Sequence, residues 1–255
     1  MVRRFAMAGG LGVLALAALA AFGVWYFFFR DDAPAPVDLQ SAVRSVASST
    51  ADAGSGVPGT ATPSASGTAS AGAASGSTSL VGTWQVASGG QSFVGYRVQE
   101  QLANVGAATA VGRTSAVTGT LTFDGSAITD VTIEADLTKL QSDRSQRDNA
   151  LRQQALETNR FPTATFTLTQ PIELGGNPQA GDMVEATAVG DLMLHGVTKS
   201  ISIPLQGQLV NGQIVVVGSL DIVFADYSIA QPRAASVLSV ENHGLIELQL
   251  ILNRG

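Results

Sequence analysis

Residues 201–224 read ISIPLQGQLVNGQIVVVGSLDIVF. Ile201, Ile203 and Leu205 alternate with Ser202, Pro204 and Gln206, and further on Leu220, Ile222 and Phe224 keep the same period of two. A period of two puts one row of side chains on an apolar face and the next on a wet one, as in an antiparallel strand. Asn211-Gly212, between Leu209 and Ile214, suits the two-residue hairpin turn in which both central residues take positive φ. The stretch predicts two antiparallel strands joined by a tight turn.

The same period recurs from Leu80 onward. Val94, Tyr96 and Val98 form one apolar row; Val131, Ile133, Ala135 and Leu137 form another. Ala164, Phe166 and Leu168 alternate with threonines, and the chain closes on Ile246, Leu248, Leu250 and Leu252. Asp124-Gly125 and Gly175-Gly176-Asn177-Pro178 mark further turns. About eight strands are expected in 176 residues, a length sufficient for one domain with a real core. Ser142 to Glu157 breaks the pattern and reads as one mostly polar helix with Ser142 or Asp143 as N-cap. About eight antiparallel strands and one helix suit an all-β, lipocalin-like up-and-down barrel, because closure removes the sheet edges.

The first 79 residues are of two other kinds. Phe5 to Phe29 is 25 residues without a charge, preceded by Arg3 and Arg4 and ending in Trp25-Tyr26-Phe27-Phe28-Phe29. A helix of that length covers a ~30 Å hydrocarbon layer, and the flanking arginines place Met1 in the cytoplasm. The run is either an uncleaved membrane anchor over residues 1–32 or a signal peptide cut near Ala18-Leu19-Ala20. Both readings export the domain, so the expected location is the extracytoplasmic side of a bacterial cell membrane. Ala33 to Ser79, rich in Ala, Ser, Gly, Thr and Pro, is expected to be a disordered tether. The helical spacing of Leu39, Val43 and Val46 within it is read as a transient turn rather than a docking helix.

Composition excludes several functions. There is no cysteine, hence no disulfide, thiolate metal site or cysteine nucleophile. From Leu80 onward ten basic side chains face sixteen acidic ones, so the domain carries the whole net charge of −6. Such a surface repels phosphate backbones, and nucleic acid is not an expected partner. His195 and His243 are isolated, without the carboxylate pattern of a metal site, and no nucleophile, cofactor or phosphate-binding motif is present. Asp143, Arg144, Arg147, Asp148 and Arg152 read as surface ion pairs on the helix.

Several motifs occur in order. Trp84-Gln85-Val86 is followed by Ser92-Phe93; Arg147-Asp148 precedes Phe161-Pro162-Thr163-Ala164-Thr165-Phe166; then come Leu194-His195-Gly196-Val197-Thr198-Lys199 and the closing Ile246 to Leu250. Together they resemble the signatures of the YceI-like family over residues 80–255. The resemblance implies an elongated barrel that buries a polyisoprenoid chain, such as that of an isoprenoid quinone, and no catalysis. Ala150 and Ala155-Leu156-Glu157 stand where many relatives carry a histidine and an aromatic run.

The expected ligand-contacting residues are the inward rows. They are Tyr96, Val98, Phe123, Ile133, Leu137, Phe166 and Leu168, then Leu192, Leu194, Ile203, Ile222, Phe224 and Leu248. His195 joins them either as a cap on a polar headgroup or as a turn residue satisfying local hydrogen bonds. These rows are expected to enclose an elongated apolar tunnel rather than a solid core, because few aromatics are present to fill the volume; a filled core would instead fit a structural or adhesive surface domain. Burying a C20 or longer chain at ~0.8 kcal/mol per methylene is a sufficient driving force.

Overall fold

The computed structural model describes residues 33–53, 80–89, 91–103, 106–176, 178–234 and 237–255. Among them are thirteen strands: β1 (Gly82–Val86), β2 (Phe93–Leu102), β3 (Gly106–Thr114), β4 (Val117–Phe123), β5 (Ala127–Asp136), β6 (Gln141–Ser142), β7 (Thr163–Leu168), β8 (Ile172–Glu173), β9 (Met183–Leu194), β10 (Val197–Val210), β11 (Gln213–Val223), β12 (Val237–Val240) and β13 (His243–Arg254). Eight of them, in the order β1-β4-β5-β7-β9-β10-β11-β13, pair antiparallel, and β1 pairs back onto β13 to close the ring.

The up-and-down expectation needs one amendment. β2 and β3 are inserted between β1 and β4. β1 and β2 follow one another along the edge of the twelve-residue β13 that faces away from β11: Arg254 lies opposite Trp84 of β1, and Leu245 opposite Arg97 of β2. The barrel is thus elongated. The hairpin at Asn211-Gly212 and the turn at Asp124-Gly125 lie at one end, the hairpin at His195-Gly196 at the other. Asn211 and Gly212 have φ of 51° and 77°, as the sequence predicts. At Asp124-Gly125 the aspartate carboxylate accepts the backbone N–H groups of Ser126 and Ala127, each at 2.8 Å. These bonds hold its pKa below the usual carboxylate value.

The single long helix expected at Ser142–Glu157 is shorter. α2 spans Ser145–Ala150, and one π-helical turn, Leu151–Ala155, follows. Ser142 is not its cap: it pairs in β6, and its N–H and hydroxyl both donate to Asp148 Oδ1, at 2.9 and 2.7 Å.

The largest departure precedes the barrel. Leu39–Ala53 is a helix, α1, not a disordered tether. Asp38 caps it, accepting the N–H of Ser41 at 2.9 Å, which lowers the Asp38 pKa. Leu39, Ala42 and Val46 lie on one face and are fully buried against Val215, Val217 and Ile251 on the outer wall of β11 and β13. The chain leading into α1 is fastened as well. Arg97 donates to the Pro34 carbonyl at 2.6 Å and Arg113 to that of Ala35 at 3.2 Å. Both arginines are ion-paired with Glu247, which is 1% exposed. The apolar run Phe5–Phe29 lies outside the described residues, as does the rest of the Ala/Ser/Gly stretch. No helix among the described residues is long and apolar enough to cross a membrane.

Burial of a Val or Leu side chain stabilises by about 1.5–3 kcal/mol before ordering entropy is subtracted. Val46→Asp is therefore expected to release α1 and lower the melting temperature of the whole chain by several degrees, with the barrel still folded by circular dichroism. An unchanged melting temperature would mean that the docked helix carries no stability.

Candidate functional site: an apolar cavity in one half of the barrel

The inward rows do two different things. In the half nearer the Asn211-Gly212 hairpin they surround a cavity of about 200 Å³. Small side chains make the room: Ala164, Ala186, Ala188 and Gly207 all line it. Gly190 and Gly218 act differently, since a Cβ at either would overlap Phe166 or Leu205, so these glycines let larger neighbours lie flat against the wall. The wall is almost wholly apolar, with Phe123 and Phe166 among aliphatic side chains. Asp182 and Gln208, at the hairpin end, are among its few polar members, and among the described residues no lysine or arginine lines it. Gln208 Nε2 donates to the Gly181 carbonyl at 2.7 Å, and the Gly181 N–H donates to the Leu209 carbonyl at 3.0 Å, tying the loop before β9 to this rim.

The other half is solid. Leu137, Leu194, Ile222 and Tyr227 are buried together with Ala155 and Ile229, and Phe224 packs against them. Leu192, Ala164, Ile201, Leu220 and Ile246 belong to both regions and form the floor of the cavity.

Fourteen side chains were expected at the site. The structure puts Phe123, Ile133, Phe166, Leu192, Ile203 and Leu248 on the cavity wall. Leu168 packs beside it against the group formed by Ile172, Ala188 and Ile203. The other seven differ from expectation. Leu137, Leu194, Ile222 and Phe224 belong to the solid half. Val98 is buried against Gly244, where a Cβ would come within 2.6 Å of it. Tyr96 lies flat across Gly112, with a buried hydroxyl that has no hydrogen bond and a pKa raised by burial.

His195 is a turn residue, not a cap on the cavity. It sits in the left-handed region with φ 52°, its Nδ1 is 3.0 Å from the Tyr227 carbonyl, and its ring stands edge-on to Phe161 at 4.4 Å. Its buried Nε2 has no hydrogen-bond partner and lies 3.9 Å from the Glu157 carboxylate. His243 is half-exposed, 3.1 Å from Asp221 and 3.3 Å from Glu241. Among the described residues no group of three or more His, Asp or Glu side chains could hold a metal ion.

Arg147 also departs from the surface reading. Besides Asp143 on the surface, its guanidinium pairs with Glu100, whose side chain is 6% exposed on the inward row of β2. Burial works against the charge on Arg147, but hydrogen bonding and attraction from Glu100 outweigh it and raise its pKa. The pair is an internal strut joining α2 to β2. Arg144–Asp143, at 3.4 Å, is a surface pair as expected.

A closed antiparallel ring around an apolar cavity is the architecture of small-ligand-holding barrels. The comparisons with known proteins define the family more narrowly. The model of the YceI-like domain matches residues 84–252, and the chain belongs to that family. A UPF0312 protein of Shewanella denitrificans is 30% identical over 152 residues, 55% of this chain and 76% of the relative. A UPF0312 protein of Vibrio vulnificus is 28% identical over 145 residues, 52% of this chain and 71% of the relative. Among solved structures, a polyisoprenoid-binding domain from Saccharophagus degradans superposes with a TM-score of 0.53 at 19% identity, covering 68% of this chain and 98% of the other. Burkholderia cenocepacia BcnA gives 0.50 at 16% identity, covering 63% and 96%. At these identities the structural likeness establishes the fold.

Proposed function

We propose that this protein is a membrane-tethered, extracytoplasmic binding protein that holds an isoprenoid lipid, a polyisoprenoid or isoprenoid quinone, with its tail in the barrel cavity. The carrying observation is the cavity itself: about 200 Å³ of apolar-walled space, larger than the ~150 Å³ apolar cavity that suffices to bind benzene. Family membership and a polyisoprenoid-binding structural neighbour support the same reading. Solvent extraction of the purified whole chain followed by mass spectrometry tests it. An isoprenoid at near-stoichiometric load is the expected result; a protein recovered empty, and unable to take up added prenyl lipid, would count against it.

The tethering part of the proposal rests on the uncharged run Phe5–Phe29. Pro34 already lies against the barrel, bonded to Arg97. An anchor ending at Phe29 would therefore hold the barrel within about 18 Å of the bilayer, because five extended residues reach no further. Protease that cuts after Ala53 outside intact cells is expected to separate barrel from anchor on a denaturing gel, while the docked α1 still holds the barrel at the membrane under native conditions. A barrel found free in the medium, with its N-terminus near Ala21, would favour the cleaved leader.

His195→Asn is expected to leave the lipid load unchanged, since the imidazole lies outside the cavity and asparagine tolerates the left-handed backbone there. A large loss of lipid in that variant would return His195 to the site.

A further inference from the structure

The cavity stops halfway down a barrel whose inward rows continue, and what stops it is a set of particular side chains. Leu194 follows Leu192 on the inward row of β9, and Ile222 follows Leu220 on that of β11. The upper member of each pair lines the cavity floor, while the lower is buried in the packed half with Leu137 and Tyr227. Below that layer the barrel is shut by the His195-Gly196 hairpin, where Phe161 fills the space a Cβ at Gly196 would need. Of the polar wall residues, Asp182 and Gln208 are at the opposite, hairpin end, while Thr165 stands next to Ala164 near the floor. The cavity is therefore a blind pocket with a mostly apolar floor and a polar rim.

From this geometry we propose that Leu194 and Ile222 are a length stop, setting how many isoprene units of a bound tail the barrel encloses. The proposal rests on the lipid-binding reading above. A tail entering such a pocket goes in end first and leaves its head at the rim. Each unit that finds room is removed from water and adds affinity; units beyond the floor stay outside and add none. A ~150 Å³ cavity takes the six carbons of benzene, so about 200 Å³ with its rim encloses about two units, some ten carbons. Until the floor is reached, each five-carbon unit adds up to about a thousandfold in affinity.

The test is the dissociation constant of the full chain for prenyl alcohols of one to four isoprene units, in the parent and three variants. In the parent the constant is expected to fall steeply to about two units and then level off. Leu194→Ala and Ile222→Ala each open the floor and are expected to move the break up by about one unit. Ala164→Leu fills the floor from its cavity side and is expected to move it down by a similar amount. Should the alanine variants fail to fold, Ala164→Leu, which adds volume on the cavity side, carries the test alone. Affinity rising without a break through four units in the parent overturns the length stop, as does a break that stays put in the folded variants. No binding at any length by the parent overturns the lipid-binding reading itself, and the length stop with it.

Discussion

Arg147→Ala is expected to destabilise the protein by about 3–5 kcal/mol, read as a fall in the denaturant midpoint at unchanged slope. The reason is not the value of the ion pair as such. Glu100 and Arg147 are both taken out of water, and their attraction does little more than offset that desolvation. Removing the cation alone leaves an unpaired carboxylate buried on the inward row of β2. It also unties α2, whose short span has no buried residue of its own to hold it. Replacing both partners, as Glu100→Leu with Arg147→Met, removes the uncompensated charge and is expected to recover most of the loss. A single variant no less stable than the double one would show that water reaches Glu100 and that the strut is not buried in solution.

Ala188→Phe is expected to lower the lipid load to a tenth or less while leaving the melting temperature unchanged or higher. Ala188 is fully buried, lies opposite Ile203 in the β9–β10 pair and lines the cavity. A phenyl ring there grows into empty space, so the usual penalty for overpacking a core does not arise, and contacts missing from the void are gained. The opposite strategy, Ile133→Asp or Phe166→Asp, places a charge on the same wall and is expected to expel lipid at a cost in stability. The phenylalanine variant separates the two effects. If it folds, melts like the parent and still carries a full load, the lipid is held elsewhere and the cavity is not the site.

Much of this was legible along the chain. The period of two set which residues face inward on each strand, because successive side chains of a pleated strand must point to opposite faces. Asn211-Gly212 located its hairpin for the same kind of reason, since few residue pairs take positive φ twice in succession. The ordered motifs from Trp84 to Leu250 pointed to the family. The docking of α1 was half-legible. Ile214-Val215-Val216-Val217 and Leu250-Ile251-Leu252 are apolar on both faces of their strands, the mark of a strand covered on both sides, and Leu39, Ala42 and Val46 supply the cover.

What the chain could not show in one dimension is which inward residues border empty space. Ile203 and Ile222 are alike in chemistry and in strand parity, yet one lines a cavity and the other a packed plug. The difference comes from the inward side chains at each level: Ala164, Ala186 and Ala188 on one, Leu137, Leu194 and Tyr227 on the next. Strand alternation fixes direction, a local property of the backbone. Whether opposing rows meet depends on the summed volumes of side chains from strands far apart in sequence, brought level only by register and closure. The same holds for Arg147. Its charge and helical setting read as surface, and only the fold brings Glu100, 47 residues earlier, to meet it inside the barrel.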